Sequence, residues 1–148
     1  MTTFLIEKDL SIDVPPHILF DALTTSDKIV QYYPLKEVIS TWEVGSEIIL
    51  KGSNGDKNFT DYGKIEILLP NEKFQYTYWS DNHGTDRSPE NYLTICYTLH
   101  EADNGTNLKL EHKNLKSKKM YLEMLNVWDF LLSNLKDFVE KSDALRRT

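Results

Sequence analysis

The feature that most constrains the fold is an amphipathic segment near the end of the chain, over residues 115–142. Its apolar residues recur at steps of three and four, the period of an α-helix with one buried face. They are Tyr121, Met124, Leu125, Trp128, Leu131, Leu132, Leu135, Phe138 and Val139. At ~1.5–3 kcal/mol per large apolar side chain, burying this face contributes on the order of 10–20 kcal/mol. The segment therefore predicts a long helix that needs an apolar surface from the rest of the chain.

The upstream sequence predicts that surface as an antiparallel sheet. Alternation of apolar and polar residues with a period of two is typical of strands. It occurs over residues 4–14, 38–42, 47–51, 60–69, 73–80, 92–101 and 106–112. Between the last two strands, Asp103-Asn104-Gly105 is the strongest hairpin signal. Residues 52–57 predict a polar loop, and two short helices are predicted after the first strand, over 17–23, following Pro15-Pro16, and 26–30.

The alternation also predicts that only one face of the sheet is apolar, so that a single layer of helix covers it. The residues predicted on the covered face are Ile48, Leu50, Ile65, Ile67, Phe74, Tyr76, Tyr78, Leu93, Ile95, Tyr97, Leu108, Leu110 and His112. Cys96 falls on the polar face. We expect an α+β fold in which a curved antiparallel sheet is wrapped around the long C-terminal helix.

Length and charge exclude several classes of protein. The 148 residues predict a single domain, 1–148, and a formal net charge of −6 argues against general nucleic-acid binding. The only cysteine excludes an intramolecular disulfide, and the sequence shows neither a signal-peptide pattern nor a membrane-spanning apolar run. We therefore expect a cytoplasmic location without membrane insertion, as a monomer or a homodimer.

One cluster of cations interrupts this acidic chain. Lys113, Lys116, Lys118 and Lys119 lie where the last strand passes into the long helix. A helix N-terminus is an unfavourable place for positive charge. The cluster is either a solvated surface turn or a site for an acidic partner.

Several local motifs resemble those of a known family. The segment Val14-Pro15-Pro16 with Leu19-Phe20-Asp21-Ala22-Leu23-Thr24 resembles its opening helix, and Tyr62-Gly63-Lys64 with Pro70-Asn71-Glu72 resembles its central strand pair. Thr106-Asn107-Leu108 and Trp128 to Leu132 are similar to its last strand and helix. Together they resemble the START-like (Bet v 1-like, SRPBCC) superfamily, and within it the bacterial single-domain relatives of the activator of Hsp90 ATPase. The resemblance implies the helix-grip fold.

The resemblance also implies a ligand cavity between the sheet and the long helix. The predicted ligand-binding residues are Ile65, Phe74, Tyr76, Tyr78, Tyr97, His112, Trp128 and Leu132. A dry void of ~300 Å³ would cost ~7 kcal/mol, so a cavity of ligand size must hold water or ligand. The alternative is a core that is filled by its own tyrosines.

Catalytic and metal-binding motifs are weak. His112 is the only histidine on the predicted inner face, and no carboxylate falls on the inner face near it, so it is at most a weak catalytic candidate. Residues 81–86 do not fit an EF-hand loop, and we predict no metal or cofactor. Three hypotheses stay open: a domain that binds a small hydrophobic or aromatic molecule, a protein-interaction module related to Hsp90 ATPase activators, and a cyclase- or hydrolase-like enzyme.

Overall fold

A computed structural model describes residues 3–80 and 83–147. Its strands are β1 (Phe4–Ile12), β2 (Glu37–Ser40), β3 (Glu47–Asn54), β4 (Lys57–Leu69), β5 (Lys73–Ser80), β6 (Leu93–Ala102) and β7 (Gly105–Leu115). Its α-helices are α1 (Pro16–Leu23), α2 (Ser26–Tyr32) and α3 (Lys118–Arg147). The strands form one antiparallel sheet in the order β1-β7-β6-β5-β4-β3-β2. This confirms the predicted α+β helix-grip fold, with two short helices after the first strand.

The core lies between one face of the sheet and the apolar stripe of α3. Trp128, Leu131, Leu132, Leu135 and Val139 are buried in it, as the helical period predicts. The helix packs against β1, β7 and both short helices. None of the helices in the described part of the chain is long and apolar enough to cross a membrane.

The helix α3 begins three residues later than the sequence predicts. Leu115 is still a strand residue, because it pairs with Phe4 at the edge of the sheet. Ser117 then precedes the helix, and its hydroxyl oxygen accepts the backbone N–H of Met120 at 3.1 Å. This is an N-cap hydrogen bond, which satisfies one of the free donors of the first turn.

The polar loop predicted over residues 52–57 is instead the end of a hairpin. The strand ladder continues through the pairs Gly52 with Phe59 and Asn54 with Lys57. Gly55 forms the turn with a φ of +69°, a conformation that glycine adopts without strain. The prediction was wrong because a hairpin can extend past the core, where its polar residues meet solvent on both faces.

A β-bulge changes which residues of β4 face the core. Ile65 pairs with Tyr76, but Ile67 pairs with Gln75, so the register shifts by one residue between them. Leu68 therefore packs against the core in place of Ile67, which was predicted to be inside. On the outer face, Cys96 has the predicted orientation opposite Gln75 and Glu111, yet it is fully buried.

Candidate functional site

The space between the sheet and the long helix is filled by side chains. A void of only about 20 Å³ remains among the ends of α1 and α2 and the central strands. It is lined by Leu23, Ile29, Tyr32, Tyr33, Ile48, Leu50, Phe74, Tyr76 and Tyr97. A volume of this size holds one water molecule, for which the tyrosine hydroxyls supply polar partners. The ligand-sized inner cavity expected from the sequence is therefore not open in this conformation.

A much larger space lies next to that void, at the N-terminal end of α3. We call it the α3 cleft, and its volume is about 520 Å³. It is lined by Tyr33, Phe59, Asp61, Tyr78, Ser80, His83, Ser117, Lys119, Met120, Glu123, Met124 and Val127. Since the cleft opens to solvent, it avoids the cost of a dry cavity.

The two walls of the cleft differ in chemistry. Met120, Met124 and Val127 come from one side of α3, and the ring of Phe59 comes from β4. Methionine side chains adapt to ligands of irregular shape because they are long and unbranched. Asp61 and Tyr78 lie on neighbouring strands and supply the polar part together with His83.

Tyr78 belongs to a buried chain of hydrogen-bonded side chains. The indole Nε1–H of Trp128 donates to Nδ1 of His112 at 2.8 Å. On the other side of the imidazole ring, Nε2 lies 3.1 Å from the hydroxyl oxygen of Tyr78. These hydrogen bonds connect Trp128 of α3, through His112 of β7, to Tyr78 at the cleft.

Burial controls the protonation of this chain. It lowers the pKa of His112 from 6.5 to about 3, with a smaller contribution from the charge of His83. Burial also raises the pKa of Tyr78 well above its usual value. The nearby Tyr33 and the Asp61 carboxylate add smaller contributions in the same direction. At neutral pH, His112 and Tyr78 are therefore both uncharged, and both ring nitrogens of His112 are engaged.

His83 lies beside Tyr78 in the cleft. The two rings meet edge to face, with their centroids 5.4 Å apart. Nδ1 of His83 accepts the backbone N–H of Ser80 at 3.4 Å. Partial burial lowers the pKa of this histidine, which favours its neutral form.

Tyr33 separates the inner void from the α3 cleft, because its side chain lines both. It follows α2 directly and is half-buried. Removing or rotating its ring would join the two spaces. The inner tyrosines Tyr76 and Tyr97 would then extend the wall of the cleft.

The eight predicted ligand-binding residues are all buried, but they fall into three groups. Phe74, Tyr76 and Tyr97 line the inner void, while Tyr78 lines the cleft and is joined to His112 and Trp128. Ile65 and Leu132 belong to the core cluster and line neither space. Their roles in binding stay predictions.

Asp61, the carboxylate of the cleft, is not among the site residues predicted from the sequence. Asp61 pairs with Ser80 and has the same orientation as Gly63 and Ile65, so it lies on the inner face close to Tyr78. Continuing the alternation of β4 backwards from Ile65 would have found Asp61. Asp61 lies on β4, three strands away from His112 on β7, so the prediction that no carboxylate falls on the inner face near His112 stays a prediction.

The remaining predicted sites have different outcomes. In the described ranges, no group of three histidine, cysteine, aspartate or glutamate side chains is arranged to hold a metal ion. Asp81 and Asn82, from the loop considered as a metal ligand set, lie outside the described residues.

Lys113, Lys118 and Lys119 are exposed and Lys116 is half-buried. Hydrogen bonds from the backbone of Glu90 and the side chain of Ser88 lower the pKa of Glu90, and the charge of Lys116 adds a smaller contribution.

Solved structures with this architecture are numerous. ChR145 from Cytophaga hutchinsonii is 27% identical with a TM-score of 0.81, over 95% of this chain and 97% of that chain. SA2116 from Staphylococcus aureus, a protein of unknown function, is 16% identical with a TM-score of 0.82, over 97% of both chains. Ara h 8.0201, which is Bet v 1-like, is 13% identical with a TM-score of 0.77, over 95% and 99% of the chains.

The family assignment comes from a sequence match that covers most of the chain. No curated protein matches the chain closely. The family model described as Activator of Hsp90 ATPase homolog 1-like protein matches residues 13–140, which include both short helices, the central strands and most of α3. The fold of this family is consistent with a ligand-binding domain. The chain belongs to the Activator of Hsp90 ATPase homolog 1-like protein family.

Proposed function

We propose that this protein binds a small, mostly apolar or aromatic molecule in the α3 cleft. The observation that carries the proposal is the combination of an adaptable apolar wall with a few polar groups in one concave space of about 520 Å³. Small-molecule sites in proteins are typically clefts of about 300–1,000 Å³ with this composition.

The position of the cleft supports the proposal. Its polar residue Tyr78 is held in place by the buried contacts of His112 and Trp128, so the polar end is rigid. Its apolar wall is formed by Met120 and Met124, which adjust to shape. A rigid polar end orients a ligand, and an adaptable wall accommodates its body.

Two substitutions on α3 test the proposal. Val127 is 41% exposed and lines the cleft, so Val127→Trp fills the cleft without disturbing the core. Leu122 is 49% exposed on the same helix but does not line the cleft, so Leu122→Trp is the matched control. Tetralin and α-tetralone are suitable bicyclic probes, and NMR titration measures their dissociation constants.

We expect the wild type and Leu122→Trp to bind the probes with equal affinity. Val127→Trp should weaken binding by at least about tenfold, since it removes the space that the bicyclic rings need. Absence of binding to the wild type, or equal binding to both variants, would refute the proposal.

Four lysines between the end of β7 and the start of α3 favour a second candidate, a protein-interaction module with an acidic partner. Lys113, Lys116, Lys118 and Lys119 form no salt bridge within the described ranges, and Lys119 lines the cleft. The matching family is named for activation of the Hsp90 ATPase, so purified Hsp90 is the partner to test.

Charge reversal distinguishes this second candidate. The double variant Lys116→Glu with Lys119→Glu should abolish any stimulation of the Hsp90 ATPase, whereas Lys64→Glu, at an exposed site on β4, should not. If the wild-type protein does not stimulate the ATPase, this candidate is rejected.

A further inference from the structure

We propose that the α3 cleft selects uncharged ligands that carry a hydrogen-bond acceptor oxygen, such as the carbonyl of a ketone, ester or amide. This inference rests on the proposed function, and it concerns which ligands the same site prefers. It follows from the direction of the hydrogen bonds that end at Tyr78 and His83.

Trp128 determines which groups donate and which accept in the hydrogen bonds that end at Tyr78. An indole N–H is a donor and never an acceptor, so Nδ1 of His112, 2.8 Å from it, must accept. A neutral imidazole carries one proton, which therefore resides on Nε2. Burial and the low pKa of His112 keep the ring neutral.

That proton determines how Tyr78 is used. Nε2–H of His112 donates to the hydroxyl oxygen of Tyr78 across 3.1 Å. The hydroxyl's own proton is then available to another group. Tyr78 makes no second hydrogen bond to any described residue, and it lines the cleft. Its proton therefore serves an acceptor within the cleft.

His83 presents a second proton by the same reasoning. Its Nδ1 accepts the backbone N–H of Ser80, so the neutral ring carries its proton on Nε2. No other residue in the described ranges receives a hydrogen bond from that nitrogen. The edge-to-face contact keeps this ring next to Tyr78. Two donors thus belong to one polar end, where an acceptor oxygen with two lone pairs satisfies both.

The charges around the site disfavour an anionic acceptor. Burial raises the pKa of the Tyr78 and Tyr33 hydroxyls, and the negative charge of the Asp61 carboxylate adds a smaller contribution to both shifts. A ligand carboxylate at the same position would meet this negative charge and would also lose its hydration. Lys119 and Glu123 are both exposed at the cleft and carry opposite charges, so this pair adds no net charge there.

Three probes with similar rings test the inference: tetralin has no oxygen, α-tetralone has a carbonyl and α-naphthoate has a carboxylate. Tyr78→Phe keeps the ring of Tyr78 and removes its hydroxyl. We expect it to weaken α-tetralone binding by about threefold to tenfold and to leave tetralin binding within about twofold. The wild type should bind α-naphthoate at least about tenfold more weakly than α-tetralone.

The control is Tyr92→Phe, which removes a hydroxyl that accepts from Arg87 outside the cleft. It should bind all three probes like the wild type. Equal loss of tetralin and α-tetralone binding in Tyr78→Phe, or no loss of either, overturns the inference while the proposed function stands. If neither neutral probe binds the wild type, the proposed function itself fails.

A second measurement does not depend on any variant folding. Long-range proton–nitrogen NMR spectra of the histidine-labelled wild type identify which ring nitrogen is protonated. We expect His112 and His83 to carry their protons on Nε2. A proton on Nδ1 of His112 would overturn the inference, because the hydroxyl of Tyr78 would then donate to the ring.

Discussion

Acidification should destabilise this protein through the burial of one histidine. Burial lowers the pKa of folded His112 from 6.5 to about 3. In the unfolded chain, this histidine takes up a proton as the pH falls through about 6.5. Between these two values the unfolded state binds more protons than the folded state, so the free energy of unfolding decreases as the pH falls. The contribution of His112 is complete above about pH 6.5.

The difference between the two pKa values sets the size of the effect. At 1.36 kcal/mol per pKa unit, the full contribution is about 5 kcal/mol, of which about 2.5 kcal/mol is lost between pH 7.5 and pH 4.5. The loss of about 2.5 kcal/mol is on the order of one quarter of the free energy of unfolding of a typical domain, which is about 5–15 kcal/mol. His112 is fully buried, so solvent screening does not reduce it.

Urea unfolding at several pH values measures this contribution, with tryptophan fluorescence as the signal. His112→Gln keeps an oxygen that can accept from Trp128 but no longer titrates, so its stability should fall by about 2.5 kcal/mol less than that of the wild type over the same range. Tyr78→Phe is the control, because it retains the imidazole and should keep the wild-type pH dependence. Parallel curves for the wild type and His112→Gln would refute the reasoning.

Three further substitutions give distinct outcomes. Gly63→Ala should lower the free energy of unfolding by about 2 kcal/mol or more in urea titrations, because its Cβ would lie 1.7 Å from the carbonyl oxygen of Thr77; wild-type stability would contradict the close approach. Trp128→Phe should cost about 2–4 kcal/mol in the same assay, since it leaves unfilled volume and removes the donor to His112; a loss below about 1 kcal/mol would contradict that role. Tyr33→Ala should join the inner void to the cleft and strengthen binding of fluorenone more than that of α-tetralone in NMR titrations; an equal effect on both would show that Tyr33 does not separate the two spaces.

The order of elements could be predicted because its signals are local. The strand predicted over residues 73–80 matches β5, since alternation and the Pro70-Asn71-Glu72 turn both act within a few residues. The bulge that turns Ile67 outward has no such signal, because no glycine or proline marks it. It depends on the fit of β4 against β5, which the sequence of neither strand reveals.

The candidate site was predicted only in part, for a related reason. The alternation of the strands places Tyr78 and His112 on the inner face of the sheet, and the helical period places Trp128 on the face of α3 that covers it. All three are therefore among the predicted ligand-binding residues. Whether a cavity remains open depends on how the rings of Tyr33, Tyr76 and Tyr97 pack, and packing is a property of the whole core. In the structure, only a small void remains between the sheet and α3, and the larger open space is the α3 cleft.

The central claim is that small apolar molecules bind in the α3 cleft and not elsewhere. Methyl-labelled methionine tests it directly, because the chain has three methionines, of which Met120 and Met124 line the cleft. In a titration with α-tetralone, we expect saturable shifts of the Met120 and Met124 methyl signals at a common dissociation constant. Binding that leaves both cleft methyl signals in place would contradict it.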